Sequence, residues 1–127
     1  MRNFRKYAIW SQSMDLVSEV YHLIAQFPHE EKYGLRSQIS RSAISIPSNI
    51  AEGSARNSET EFVRFLEIAM GSAFELETQL ILAKRLRLAG ANETEELLEK
   101  LKYIQKQLYN LILSIKRPYN KKVKVKN

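Results

Sequence analysis

Glu19 and His22 stand three residues apart, the spacing at which a carboxylate and an imidazole on one helix share a metal ion in di-metal four-helix proteins. That chemistry needs a second Glu-x-x-His pair and two further inward-pointing glutamates. The other histidine, His29, follows Pro28 in a loop, so the second pair is missing. On a helical wheel centred on Val17, Glu19 and His22 fall with Asp15 and Gln26 on the side away from the apolar residues. The pair reads as solvated surface, and neither a metal nor any other cofactor is expected. Ser40, Ser42, Ser45, Ser48 and Ser54 are possible nucleophiles, but no histidine lies near them in sequence to serve as a base. The chain has no glycine-rich phosphate loop. It also has no cysteine, which excludes disulfides, thiolate ligands and thiol nucleophiles together. The reading is therefore non-enzymatic, and a cysteine-free chain suits the reducing cytoplasm.

Charge is the second source of chemistry. The net charge is +6, and Lys116, Arg117, Lys121, Lys122, Lys124 and Lys126 supply it. The first 115 residues hold 14 basic and 14 acidic side chains and sum to zero. Such a tail attracts polyanions. Two smaller basic clusters, Arg2 with Arg5 and Lys6, and Lys84 with Arg85 and Arg87, are further candidates for nucleic-acid contact. No aromatic residues interleave with the basic ones. Binding should therefore be directed to the phosphate backbone and weaken with salt.

The elements that must position these groups are helices. The chain has 127 residues, enough for one domain with a real core, with few glycines and prolines and no strand-like alternation. Four segments space their apolar residues by fours and threes. The first seam is Trp10, Met14, Val17, Tyr21 and Ile24, with Val20, Leu23 and Phe27 beside it. The second is Leu35, Ile39, Ser42 and Ile46, flanked by Ala43 and Ile50. The third is Phe62, Leu66, Ala69, Ala73, Leu76, Leu80 and Ala83, and the fourth Leu97, Leu101, Ile104, Leu108, Leu111 and Ile115.

The boundaries follow from local chemistry. Phe27-Pro28 closes the first helix. Ser58 with Glu61, and Asn92 with Glu95, suit N-terminal caps, while Gly53 and Gly90 suit helix ends. Pro118 is expected to stop the last helix. The prediction is all-α: an antiparallel up-down-up-down four-helix bundle over 1–117, followed by a basic, disordered tail over 118–127. In that order the start of helix 1 and the close of helix 4 share one end, and the close of helix 3 lies at the other. No window is apolar enough to span a membrane, and the N-terminus MRNFRKYAIW lacks the features of a secretory signal.

The least generic stretch is Ser40 to Arg56, SRSAISIPSNIAEGSAR. Beside its apolar stripe runs a polar ladder of Gln38, Arg41, Ser45, Asn49 and Glu52. Pro47 falls inside the helix, removing a backbone hydrogen bond and leaving the carbonyl of Ala43 in need of another donor, such as Asn49 or a serine. Ile44 and Ala51 lie opposite the core, where a second subunit would cover them. On helix 3, Glu77 falls within the apolar arc and requires a partner, with Arg41 the leading candidate and Glu52 and Glu75 competing acids.

That stretch resembles the signature of the four-helix-bundle proteins named for the intervening sequences of 23S ribosomal RNA genes. WSQSMDLVSEVY at residues 10–21, Phe27-Pro28 with Glu31, Tyr33-Gly34-Leu35, and AMGSAFELETQL at residues 69–80 agree with it. The resemblance covers residues 7–115 and implies a bundle assembled into a homopentameric ring. A similar fold occurs in the accessory variability determinant proteins of diversity-generating retroelements, ring-shaped partners of a reverse transcriptase and its RNA. Carried onto this chain, the motif positions are Arg41, Ser45, Pro47, Asn49, Glu52 and Gly53, with Glu75 and Glu77. The expected function is nucleic-acid binding, RNA before DNA, by an oligomer. The alternative is a scaffold that docks a larger protein such as a polymerase through Ile44, Ala51, Tyr103, Tyr109 and Leu113.

Overall fold

The computed structural model describes residues 2–31 and 34–126, and beyond Arg117 only the backbone. It contains four helices, α1 (Ala8–Ile24), α2 (Leu35–Ser54), α3 (Glu59–Arg85) and α4 (Ala91–Lys126), with single 3-10 turns at Phe4–Lys6 and His29–Glu31. No strand occurs among the described residues. Each helix packs on its neighbour in sequence, and α1 also packs on α4, closing the circuit around one core.

Leu16, Val20, Ile39, Ile46, Ile50, Phe62, Leu66, Leu76, Leu80, Leu101, Ile104 and Leu108 are its largest fully buried side chains. All seven residues of the expected α3 line are buried, as are Ile39, Ser42, Ala43, Ile46 and Ile50 of α2. α2 and α3 make the most extensive contact, because Ala43, Ala69 and Ala73 present little side chain between them. At Gly53 a Cβ would stand 2.7 Å from the Cβ of Phe65. Gly53 therefore permits close approach of two helices, and the C-cap of α2 is Ala55 in an ordinary right-handed conformation.

α1 is rotated from the expected phase. Its buried line is Ile9, Ser13, Leu16, Val20 and Leu23, while Met14 and Tyr21 of the expected seam are 44% and 47% exposed. Both lines have four-and-three spacing, and Ser13 made the true one look polar. Its hydroxyl donates to the Trp10 carbonyl at 2.9 Å, so the small side chain enters the core already satisfied.

Three boundaries differ as well. Ser58 caps α3 as expected, its Oγ accepting from the Glu61 amide at 3.1 Å. α4 begins before Asn92, with the Thr94 amide and hydroxyl both donating to the Gly90 carbonyl. α3 ends in a Schellman-type turn whose left-handed residue is Arg87 (φ 56°), not Gly90. There the Leu88 amide donates to Ala83 and the Arg87 amide to Lys84. Finally, the backbone of α4 runs through Pro118, where a stop was expected, to Lys126. A proline's fixed φ is helical and removes one amide donor without forbidding the turn, the same compromise made at Pro47 within α2.

Candidate nucleic-acid interface

The basic residues divide into two groups by the helix ends they contact. Arg2 meets the first turn of α3 through an ion pair with Glu59, and Lys116 meets the same helix through Glu67 at 3.3 Å. The N-terminal cluster and the close of α4 are thus brought to one end. Lys84 pairs with Glu95 at 2.7 Å at the other end, where α3 finishes and α4 starts. Arg85 and Arg87 are exposed beside it.

Not every candidate is available for a ligand. Arg2 donates to the Arg56 carbonyl at 2.8 Å and lies 4.4 Å over the Phe62 ring, with only 20% of its side chain exposed. It pins the N-terminal segment to the α2–α3 connection, and is a structural residue. Arg5 stacks over Phe4 at 4.4 Å, and Phe4 meets Trp10 edge-on. Lys6 and Arg117 are exposed. Arg56, outside all three basic clusters of the sequence, lies 4.6 Å over Phe65 at the same end. Its signal was present in sequence as a basic residue closing the specific stretch. The side chains of Lys121, Lys122, Lys124 and Lys126 lie outside the described residues.

The motif residues of α2 form a polar seam against α3. The Ser45 and Ser72 hydroxyls share a hydrogen bond of 2.8 Å. Asn49 donates to the Ser45 carbonyl at 2.8 Å and to its Oγ at 2.9 Å, so it does not serve the Ala43 carbonyl freed by Pro47. The buried Ser42 hydroxyl lies 3.0 Å from the Gln38 carbonyl, 3.0 Å from Glu75 and 2.9 Å from Gln79. Its single proton serves one of these acceptors at a time.

Glu77 is partnered, but from the other side. Gln105 of α4 donates to it at 2.8 Å, while Arg41 and Glu52 are exposed and form no ion pair among the described residues. The expected Arg41–Glu77 contact fails because Glu77 sits on the α4 side of α3, whereas Ser72, Glu75 and Gln79 sit on the α2 side. The hydroxyls of the motif thus close contacts between helices, and neither histidine is among their partners. Among the described residues no group of three or more His, Asp or Glu side chains could hold a metal.

The chain matches the family model described as "23S rRNA-intervening sequence protein" over residues 5–110. The protein belongs to that family. The match takes in all of α1, α2 and α3 and most of α4, leaving Arg2 and the last seventeen residues, 111–127, outside it. Among solved structures, a protein of unknown function from the S23 ribosomal protein family of Bacteroides thetaiotaomicron is similar, with a TM-score of 0.77 at 25% identity. The alignment covers 83% of this chain and 98% of that one. A comparison with curated proteins found no match. The family description names no enzymatic activity, and no helix among the described residues is long and apolar enough to cross a membrane.

Proposed function

We propose that this member of the 23S rRNA-intervening sequence family is a non-enzymatic homo-oligomer that binds nucleic acid, RNA in preference to DNA, through contacts to the phosphate backbone. The observation that carries this reading is the charge distribution. The balanced first 115 residues are followed by six cations, and Lys116 and Arg117 emerge at the end of the molecule that also holds Arg5, Lys6 and Arg56.

The cross-helix pairs support the antiparallel up-down-up-down order. Glu67–Lys116, Glu77–Gln105 and Lys84–Glu95 join rising positions on α3 to falling ones on α4, and Glu19–Lys100 followed by Gln26–Glu93 do the same for α1 with the residues just after it and α4. Assembly into a five-fold ring, as the family resemblance implies, would gather five basic segments and raise affinity by avidity without a new type of contact. Exposed apolar side chains are available to such an assembly, Met14, Tyr21 and Ile44 on α1 and α2, and Phe74, Tyr109 and Leu113 on α3 and α4. The same exposure supports a second reading, a scaffold that docks a larger protein such as a polymerase.

The test is fluorescence-anisotropy binding to a structured RNA and a DNA duplex across a salt series, with the full chain and a chain ending at Ile115. The expected result is a log–log salt slope of about −0.9 per neutralised duplex phosphate, collapsing on truncation. No binding at low salt would reject the nucleic-acid reading and favour the scaffold. Light scattering giving a single-chain mass of 14.8 kDa at micromolar concentration would reject the ring.

A further inference from the structure

α3 is apolar on two sides. Its inner line is buried in the core, and its outer side carries a second seam of Glu67, Gly71, Phe74, Thr78, Ile81 and Arg85, spaced again by fours and threes. All six residues are exposed, yet only the two at the ends are charged. Phe74 is 54% exposed, and Ile68 and Leu82, also exposed, border the seam on the α2 side. The Thr78 hydroxyl donates to the Phe74 carbonyl at 2.9 Å, so this residue needs no polar partner outside its own helix. Gly71 forms a notch, since a Cβ there would meet nothing within 4 Å.

The order of these residues is its own complement. Glu67 and Arg85 stand eighteen residues apart, five full turns at 3.6 residues per turn, so they share one side of the helix about 27 Å apart. A second copy can lie antiparallel on this seam with a two-fold axis level with Leu76. Glu67 then meets Arg85, Gly71 meets Ile81 and Phe74 meets Thr78, and each contact occurs twice. Every match is opposite in charge or large against small. Ile68 and Leu82 meet across the same axis.

The charged groups around the seam permit this contact. Lys116 reaches only the Oε2 of Glu67, at 3.3 Å, which leaves the other carboxylate oxygen for a guanidinium. Arg85 takes part in no ion pair among the described residues. The carboxylates nearest the axis are drawn aside by their own bundle. Glu75 lies 3.0 Å from the Ser42 hydroxyl of α2, and Glu77 accepts from Gln105 of α4 at 2.8 Å.

We propose that α3 packs antiparallel against α3 of a second copy through this outer seam. An isologous contact closes at two chains, so it is distinct from the head-to-tail contacts of a five-fold ring and rests on neither the ring nor the nucleic-acid reading. It engages Arg85, which is thereby withdrawn from the basic residues open to a polyanion.

Exchanging the end charges tests the symmetry itself. Tagged full-length Glu67→Arg is mixed with untagged full-length Arg85→Glu, and each variant is also mixed with an untagged copy of itself. About the two-fold axis, a self-pair sets like charges together at both ends, while the mixed pair sets opposite charges together at both. Capture on the tag should recover roughly fivefold more untagged chain from the mixed pair. Adding Phe74→Ser to both chains should remove that excess, whereas adding Tyr103→Ser, equally exposed on α4, should not. The double variant Glu67→Arg/Arg85→Glu should capture itself as well as the native chain does. It keeps any cost of breaking the Glu67–Lys116 pair, so its recovery cannot come from restored stability. Equal capture from the three mixtures would overturn the proposal, as would an excess that survives Phe74→Ser or a double variant no better than its parents. Ring contacts would raise all mixtures alike, so equal capture would leave the proposed function standing. A selective mixed pair in a chain that binds no RNA would overturn the nucleic-acid reading and leave this contact in place.

Discussion

Replacing Gly53 by alanine sets two known effects against each other at one site. In a helix interior, alanine is favoured over glycine by about 1 kcal/mol, so propensity alone predicts stabilisation. The new Cβ, however, would stand 2.7 Å from the Phe65 Cβ and 3.1 Å from the Phe62 ring. The Phe65 Cβ is fixed to its backbone, and Phe62 is only 1% exposed, so neither can swing away. α2 and α3 must therefore separate by roughly 0.7 Å to restore ordinary contact, and overpacking of this kind costs about 1–3 kcal/mol. Gly53 also lies in the last turn of α2, where the propensity gain is smallest. The net expectation is a loss of about 1–2 kcal/mol, or a fall in melting temperature of roughly 3–8 °C for a chain of this size. Thermal unfolding followed by circular dichroism, at one fixed protein concentration, measures it. Gly71→Ala is the control, because the Cβ it adds meets nothing within 4 Å beyond its own stretch of helix, and only the propensity gain should remain. Gly53→Ala melting at or above the native protein, with Gly71→Ala behaving as expected, would refute the close-approach argument.

Arg87→Gly should raise stability by about 1 kcal/mol, since glycine removes the cost of a left-handed residue at the end of α3. A melting temperature unchanged or lowered would show that the arginine side chain contributes more than its backbone costs. Glu77→Ala should cost about 1 kcal/mol, and a double-mutant cycle with Gln105→Ala should show coupling of about 0.5–1.5 kcal/mol in urea unfolding. Strict additivity would mean that the pair makes no effective bond. The hydrogen bond from Lys84, reinforced by its charge, holds the Glu95 carboxyl below the usual carboxylate range. A group depressed in the folded state contributes stability above its unfolded pKa and loses it as pH falls through the folded value. Lys84→Met should therefore raise the Glu95 midpoint seen by NMR titration, and its stability difference from the native chain should shrink toward acid pH. A Glu95 midpoint unmoved by the substitution would show that Lys84 is not the cause.

Much of the fold was legible because its signals are local. The α3 line from Phe62 to Ala83, the α2 stripe and the Ser58 cap depend on spacing and on side chains within a turn of one another, and each lies where the spacing placed it. α1 was legible as a helix but not in phase, because Trp10–Met14–Val17–Tyr21 and Ile9–Ser13–Leu16–Val20 repeat equally well. Periodicity says that a helix has a buried side. Which line is buried depends on where α2 and α4 stand, and on a local bond that lets Ser13 enter the core.

The candidate site divides the same way. The cationic segment and its imbalance with the first 115 residues are properties of composition and were readable at once. The diversion of Arg2 to Phe62 and Glu59, the pairing of Glu77 with Gln105 instead of Arg41, and the pairing of Glu19 with Lys100 were not. These join residues far apart in the chain, such as Glu19 and Lys100, which are separated by 81 positions. Spacing along the chain determines which residues share a helix face. Only tertiary packing decides what that face meets, because a charge is neutralised, seated or left for a ligand by neighbours that other helices supply.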